Sequence, residues 1–457
     1  MLPDDVLLEI FYFCVDKEQL TKKQIVAWQS LTHVCRQWRG IVFGSPRRLK
    51  LRLLCTPRTP ARKMLDIWPA LPLLIQAEGS DTSDMNNIIS VLERNVRVCQ
   101  IKLVGFSSWQ FREVLVEMQE PFPELKHLEL WPNDEMYEAV HLPHTFLNGS
   151  APSLRFLWLD RIHCPNLPRL LLSATHLVDL HLLGVPRFGS ITLKEMVAAL
   201  SWLTNLESFS LKFQSPLSHR PRWSSSPSVG RFVLPALTYF WFKGASQYLD
   251  DLVAGIDAPQ LEYLDICFFN QITFDTPHLV EFISRTPMLN APEKARVSFK
   301  HGTARANLSS QTSRYGELIL EILCRPSDWQ VSSLVEVFKG SLPPFSTLED
   351  LCIFEHPFSQ QDWQGEIEDK LWLDLFYPFT NVKNLYLSEV FAPRIGPALR
   401  ELVGGRMEEV LPALQNIFLE GLQPSGPVQN TIGHFVAARQ FTSRPIAVSR
   451  WDRRSRC

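Results

Sequence analysis

The sequence has little of what would fix a chemistry. Its 457 residues contain no G-x-x-x-x-G-K-[ST], G-x-S-x-G, H-E-x-x-H or G-x-G-x-x-G. The common phosphate-cradling, nucleophile-elbow, zinc-protease and dinucleotide signatures are therefore missing. No run approaches the roughly 18 consecutive apolar residues that span a bilayer. Met1 is followed by Leu2-Pro3-Asp4-Asp5, which supplies no basic segment, so no signal peptide is expected. None of the nine cysteines forms a C-x-x-C pair. They read as reduced, mostly buried thiols of a cytoplasmic or nuclear protein. Neither sign of charge prevails, with 46 Lys and Arg against 48 Asp and Glu. Nucleic acid and membrane are thus not expected as partners. Glycine (20) is scarcer than proline (33), which fits rigid, frequently interrupted elements better than flexible linkers.

What is present is a repeat. Apolar residues recur at relative positions 1, 4 and 6, as in Leu125/Leu128/Leu130 and Leu154/Leu157/Leu159. Further copies are Leu177/Leu180/Leu182, Leu206/Phe209/Leu211, Leu237/Phe240/Phe242 and Leu261/Leu264/Ile266, with a weaker one at Val98/Ile101/Leu103. The pattern returns at Leu348/Leu351/Ile353, Val382/Leu385/Leu387 and Leu414/Ile417/Leu419. Spacings run from 23 to 34 residues except for one of 87, three times 29, which leaves room for two degenerate copies. Candidates for these are Val297-Ser298-Phe299 and Leu318 to Ile322.

Residues two apart point the same way from a strand. The last two apolar positions therefore face one core, and the first anchors the turn before it. The remainder of each unit can return as a helix, for example Leu193 to Leu203, Gln247 to Ile256 or Trp329 to Lys339. One such unit cannot bury its apolar face, but a stack can. A doubly wound α/β domain with leucine-rich strands is the alternative. The spaced pattern resembles the leucine-rich-repeat family, which implies parallel strands on the concave face of an irregular solenoid.

Residues 1–50 do not fit the repeat. Pro3, Asp4 and Asp5 suit the start of a helix. Leu7, Ile10, Phe11 and Cys14 then make one amphipathic stripe, and Leu31, Val34, Cys35, Trp38, Ile41 and Val42 a second. From physics alone these helices could be the solenoid's cap. The Leu2-Pro3 start, Ile10-Phe11 closing the first helix, and Val34-Cys35 three residues before Trp38 resemble the F-box family, basidiomycete fungal members in particular. The resemblance implies docking on a Skp-type adaptor, and through it a cullin, by Leu2, Pro3, Ile10, Leu31, Val34, Cys35 and Trp38. The expected organisation is α/β: a helical F-box module (1–50), a connecting segment and solenoid cap (51–97), the repeat solenoid (98–438) and a basic, disordered tail (439–457).

The strand parity that buries Leu128 and Leu130 turns the intervening positions outward. Trp131, Trp158, Tyr239, Trp241, Tyr263 and Tyr386 then share an open face with charges of both signs. Exposed aromatics with flanking charge are typical of protein-binding surfaces, although cross-strand aromatic pairs also stabilise sheets. No catalytic residue, metal or cofactor is expected. His141 and His144 lack companions for a metal site, the basic loop 214–231 reads as an insertion, and Asp362, Glu366, Glu368 and Asp369 read as a solvated face. The expectation is a non-catalytic substrate receptor of a Skp–cullin–F-box ubiquitin ligase, with an unknown protein substrate on the repeats. A ligase-independent scaffold and an enzyme with an unrecognised site are the alternatives.

Overall fold

The computed structural model describes residues 2–15, 27–68, 70–80, 85–133, 140–185, 192–214, 230–269, 274–300, 302–310, 316–324, 329–340, 342, 346–355, 368–403, 409–421, 427–440 and 445–452. The chain forms two compact units, 1–206 and 207–457.

The first unit opens with helices α1 (Asp4–Val15), α2 (Ala27–Thr32) and α3 (Arg36–Gly44). Six main strands follow among the described residues: β1 (Leu53–Cys55), β2 (Leu73–Glu78), β3 (Val98–Phe106), β4 (His127–Pro132), β5 (Phe156–Asp160) and β6 (Asp179–Val185). Each pairs in parallel with the next in chain order. Leu128, Leu130, Leu157, Leu159, Leu180 and Leu182 are buried, as are the anchors Leu125, Leu154 and Leu177. Each buried leucine contributes about 1.5–3 kcal/mol, so the 1-4-6 spacing sets the core. At the turns, the Lys126 carbonyl accepts from both Arg155 N (2.9 Å) and Phe156 N (3.0 Å), tying one repeat to the next. The chain returns through α4 (Ala61–Ile67), α5 (Met85–Leu92), α6 (Ser108–Val116), α7 (Leu167–Ser173) and α8 (Leu193–Leu200). Helix α8 starts where Thr192 Oγ1 accepts from Glu195 N (3.2 Å) while the Glu195 carboxylate accepts from Thr192 N (2.8 Å), a reciprocal cap written in the sequence as T-x-x-E.

The second unit has ten main strands among its described residues: β7 (Ser208–Phe213), β8 (Tyr239–Gly244), β9 (Tyr263–Phe268), β10 (Lys294–Lys300), β11 (Thr303–Ser309), β12 (Glu317–Leu323), β13 (Asp350–Glu355), β14 (Asn384–Leu387), β15 (Asn416–Glu420) and β16 (Ala447–Trp451). Its return helices are α9 (Ser246–Val253), α10 (Pro277–Arg285), α11 (Trp329–Gly340), α12 (Asp369–Phe376), α13 (Ala392–Glu401) and α14 (Pro427–Gln440). Its spatial order is β7-β8-β9-β12-β11-β10-β13-β14-β15-β16. Both runs suspected in the long gap are strands, but in exchanged positions. Strand β12 lies parallel beside β9, β10 lies parallel beside β13, and β11 runs antiparallel between them. The architecture is thus α/β, with long, mostly parallel sheets of leucine-rich-repeat type.

Two segments differ in detail from the expected organisation. Within 51–97, expected as a connecting segment and solenoid cap, β1 and β2 already belong to the ladder. Their open-face positions, Leu54 and Leu74, are apolar and buried, so a continuous apolar run hid the 1-4-6 pattern. Residues 439–457 are not wholly a free tail. Strand β16 pairs with β15, and Arg439 is buried, donating from Nη2 to the Leu411 carbonyl at 3.2 Å. Six arginines masked a short strand. Most of the 214–231 loop, and Asp362 and Glu366, lie outside the described residues.

The N-terminal helices also depart in detail. The second stripe is two helices, because Cys35 caps α3, its Sγ accepting from Trp38 N at 3.5 Å. Leu7, Leu8 and Phe11 form the buried side of α1, whereas Ile10 and Cys14, expected on that side, are exposed.

Candidate functional site

Two surfaces stand out, one on the N-terminal helices and one on the open faces of the sheets. Phe11 packs edge-on against Trp38, ring centroids 4.8 Å apart, and Gln37 Nε2 donates to Asp4 Oδ1 at 2.8 Å. Trp28, fully buried, donates from Nε1 to the Arg52 carbonyl (2.9 Å) and meets Trp68 edge-on at 5.1 Å. The module is therefore fastened to the segment that flanks β1 and α4.

Its outer side is apolar and open. Leu2 (52%), Val6 (43%), Ile10 (43%) and Phe13 (74%) are spaced four, four and three apart, a single stripe along α1. Val34 (58%) and Cys35 in the α2–α3 connector are exposed as well. Of the residues singled out from the sequence, Leu2, Pro3, Ile10, Val34 and Cys35 face solvent. Leu31 and Trp38 are half-buried and also hold the helices together. Val6 and Phe13 were missed, although helical steps of four and three from Leu2 reach both.

On the open face of the first unit, His127 stacks on Phe156 (4.1 Å) and Trp158 lies 4.7 Å from His181, with Trp131 further along β4. Burial would raise the Glu129 carboxyl, but the His127 and Lys102 side chains (Lys102 Nζ–Oε2 2.7 Å) hold it below the usual range. Burial pushes the His181 imidazole down, which keeps it neutral at pH 7. His163, beside His141 at 4.9 Å, was not anticipated, and burial with its histidine neighbours lowers it. No group of three or more His, Cys, Asp or Glu among the described residues is placed to hold a metal.

On the second unit Tyr239 and Tyr263 stack at 5.0 Å and 5°. Trp241 is the register partner of Asp265, and Glu317 of Tyr263. Burial pushes the Asp265 carboxyl up to about 6; Arg305 opposes, and Glu321 and Glu317 add to the rise. Burial likewise moves the Tyr263 hydroxyl up to about 12. Glu317, Glu321 and Arg305 were hidden by the exchanged strands. Farther along, Tyr386 stacks on Phe418 (4.5 Å) and meets Trp451 edge-on (5.6 Å), with Cys352 and Phe354 completing an apolar cluster. A polar ladder runs beside it: Asn416 Nδ2 donates to Asn384 Oδ1 (2.8 Å), and Asn384 Nδ2 to Asp350 Oδ1 (2.7 Å). All six aromatics expected on the open face occupy outward register positions. Five are half-buried, and Tyr386 is buried within its cluster.

No protein-family model matches the chain, and no curated protein matches it. Among solved structures the chain is similar to the leucine-rich repeat-containing protein LegL7 from Legionella pneumophila. The two share 13% identity over 84% of this chain and 97% of that one, with a TM-score of 0.27.

Proposed function

We propose that the chain is a non-catalytic receptor subunit of a ubiquitin ligase. Its N-terminal helices dock on a Skp-type adaptor, and through it a cullin, while its repeats hold a protein target. The observation that carries this reading is the exposed apolar stripe Leu2/Val6/Ile10/Phe13, with Val34 exposed in the α2–α3 connector, on helices whose opposite side is already packed. An apolar surface of this kind gains stability when a partner covers it. The F-box resemblance suggests the partner, and five of its seven expected contact residues are exposed. The open faces, with half-buried aromatics amid charge, have the composition of protein-recognition surfaces. In this reading the chain supplies proximity, partner enzymes supply the chemistry, and the site of action is the cytoplasm or nucleus.

The test is co-purification of the full chain, tagged at its C-terminus, from cells. Wild type is expected to bring down both adaptor and cullin, and a Leu2→Ser/Val34→Ser variant neither. Adaptor without cullin would instead support a ligase-independent scaffold. Capture of neither by wild type would overturn the reading.

A further inference from the structure

Resting on that receptor reading, we propose that the open face of residues 207–457 grips an extended protein segment by a lysine or arginine side chain. This side chain lies along the Tyr239–Tyr263 pair and ends among Asp265, Glu317 and Glu321. The register supplies the geometry. Tyr239 faces Tyr263, which faces Glu317; one step on, Trp241 faces Asp265, which faces Ile319; a further step brings Cys267 opposite Glu321. With adjacent strands about 4.8 Å apart, two stacked rings, an indole and three carboxylates share a patch about 10 Å wide. Ser208 and Ser210, the partners of Tyr239 and Trp241, are short and leave the rings approachable from that side.

Charge selects the occupant. Three carboxylates face one guanidinium, Arg305, the register partner of Glu321, while Glu317 also accepts a hydrogen bond from the neutral Asn307 Nδ2. Lys243 and Lys212 face each other beside Cys267 and bound the acidic area at one end. The patch is left short of positive charge where its aromatic rings are most accessible. A cationic side chain satisfies both features at once, pairing with the carboxylates and lying over ring faces. An acidic segment would meet like charge. A purely apolar one would bury carboxylates without a partner. Burial is the main cause of the raised Asp265 carboxyl, and Glu321 and Glu317 add to it against Arg305; carboxyls perturbed in this way collect at functional sites.

The full-length protein is screened against a random 12-residue peptide phage library at pH 7.5, in parallel with an Asp265→Asn/Glu317→Gln variant. Wild type is expected to enrich lysine- or arginine-bearing sequences, and the variant to lose that enrichment. A synthetic peptide of the consensus is expected to bind the variant about tenfold or more weakly, the loss of one charge-assisted contact. Replacing its key arginine by citrulline, or its lysine by norleucine, should do the same on the unaltered protein, which needs no variant to fold. No enrichment, an acidic or uncharged consensus, or equal binding by variant and wild type would overturn the proposal. Adaptor capture by the N-terminal helices is scored separately. Its persistence while peptide binding fails would sink only this inference, and its failure while peptide binding holds would sink only the ligase reading.

Discussion

Ile10 and Phe11 are neighbours on α1 with opposite tasks. Phe11 is wholly buried and meets Trp38 edge-on at 4.8 Å, whereas Ile10 is 43% exposed. Phe11→Ala removes a buried aromatic at a cost of about 3–5 kcal/mol, of which the ring pair accounts for about 0.5–1.5 kcal/mol. A helical segment of this length has only a marginal core of its own. The loss should therefore melt residues 4–44 while leaving the repeat ladder, since stacked repeats hold chiefly their neighbours. Ile10→Ala removes a half-exposed side chain and should cost about 1 kcal/mol or less. If Ile10 anchors the adaptor, however, its truncation removes about 2 kcal/mol of binding, some 30-fold in Kd. Hydrogen exchange read by mass spectrometry over 4–44 and 98–185 separates the two, with adaptor affinity measured by calorimetry. Phe11→Ala should speed exchange in the first window only. Ile10→Ala should leave both windows unchanged and still lose the adaptor. Fast exchange in Ile10→Ala, or full affinity despite it, would refute the division of α1 into a packing side and a docking side.

Two further outcomes follow from the repeats. The Asp265 carboxyl is raised to about 6 in the folded chain, above its unfolded value near about 3.9, so the folded state binds the extra proton between those values. The contribution of Asp265 to stability is then fully present below about pH 4 and is lost as pH rises through 6. Asp265→Asn should raise the melting temperature at pH 7.5 and leave it unchanged at pH 4; the reverse order would contradict the assignment. At Gly79 an added Cβ would stand 1.7 Å from the Gly105 carbonyl oxygen, just where Gly79 N donates to Val104 O at 2.7 Å. Gly79→Ala should therefore destabilise the first unit by about 1–3 kcal/mol in urea unfolding, and a silent variant would show that the strand ends are not held together.

Much of this architecture was legible because burial and spacing are the same fact. Leu157 and Leu159 are buried while Phe156, Trp158 and Asp160 are only half-buried, and the sequence spacing requires that alternation. It failed where the open-face position is itself apolar, as at Leu54 and Leu74, because two buried faces erase the period of two. It failed again at Ile10, since α1 is apolar on more than one side and spacing alone does not say which side a neighbour covers. The candidate surface was half legible. Tyr239, Trp241, Tyr263 and Asp265 follow from parity, but Glu317, Glu321 and Arg305 reach them only through strand order.

That order is the part no periodicity encodes. Strands β10 and β12 carry similar apolar runs, and either could pair with β9. A tight turn joins Lys300 and Thr303, register partners across the hairpin, with Gly302 at φ +68°. A reversal that tight makes β11 antiparallel to β10. It is equally compatible with chain order, yet in the fold β12 lies on the far side of β11, next to β9, and β10 lies next to β13. The arrangement is checked with paired cysteines and a short bis-maleimide. Tyr263→Cys/Glu317→Cys joins register partners on adjacent strands, both half-buried on the open face. Tyr263→Cys/Lys294→Cys sets them three strand spacings apart, about 14 Å. Efficient intramolecular linking of the first pair and little of the second is expected. The opposite preference would mean that the strands follow chain order, and the acidic patch beside Tyr263 would then not exist.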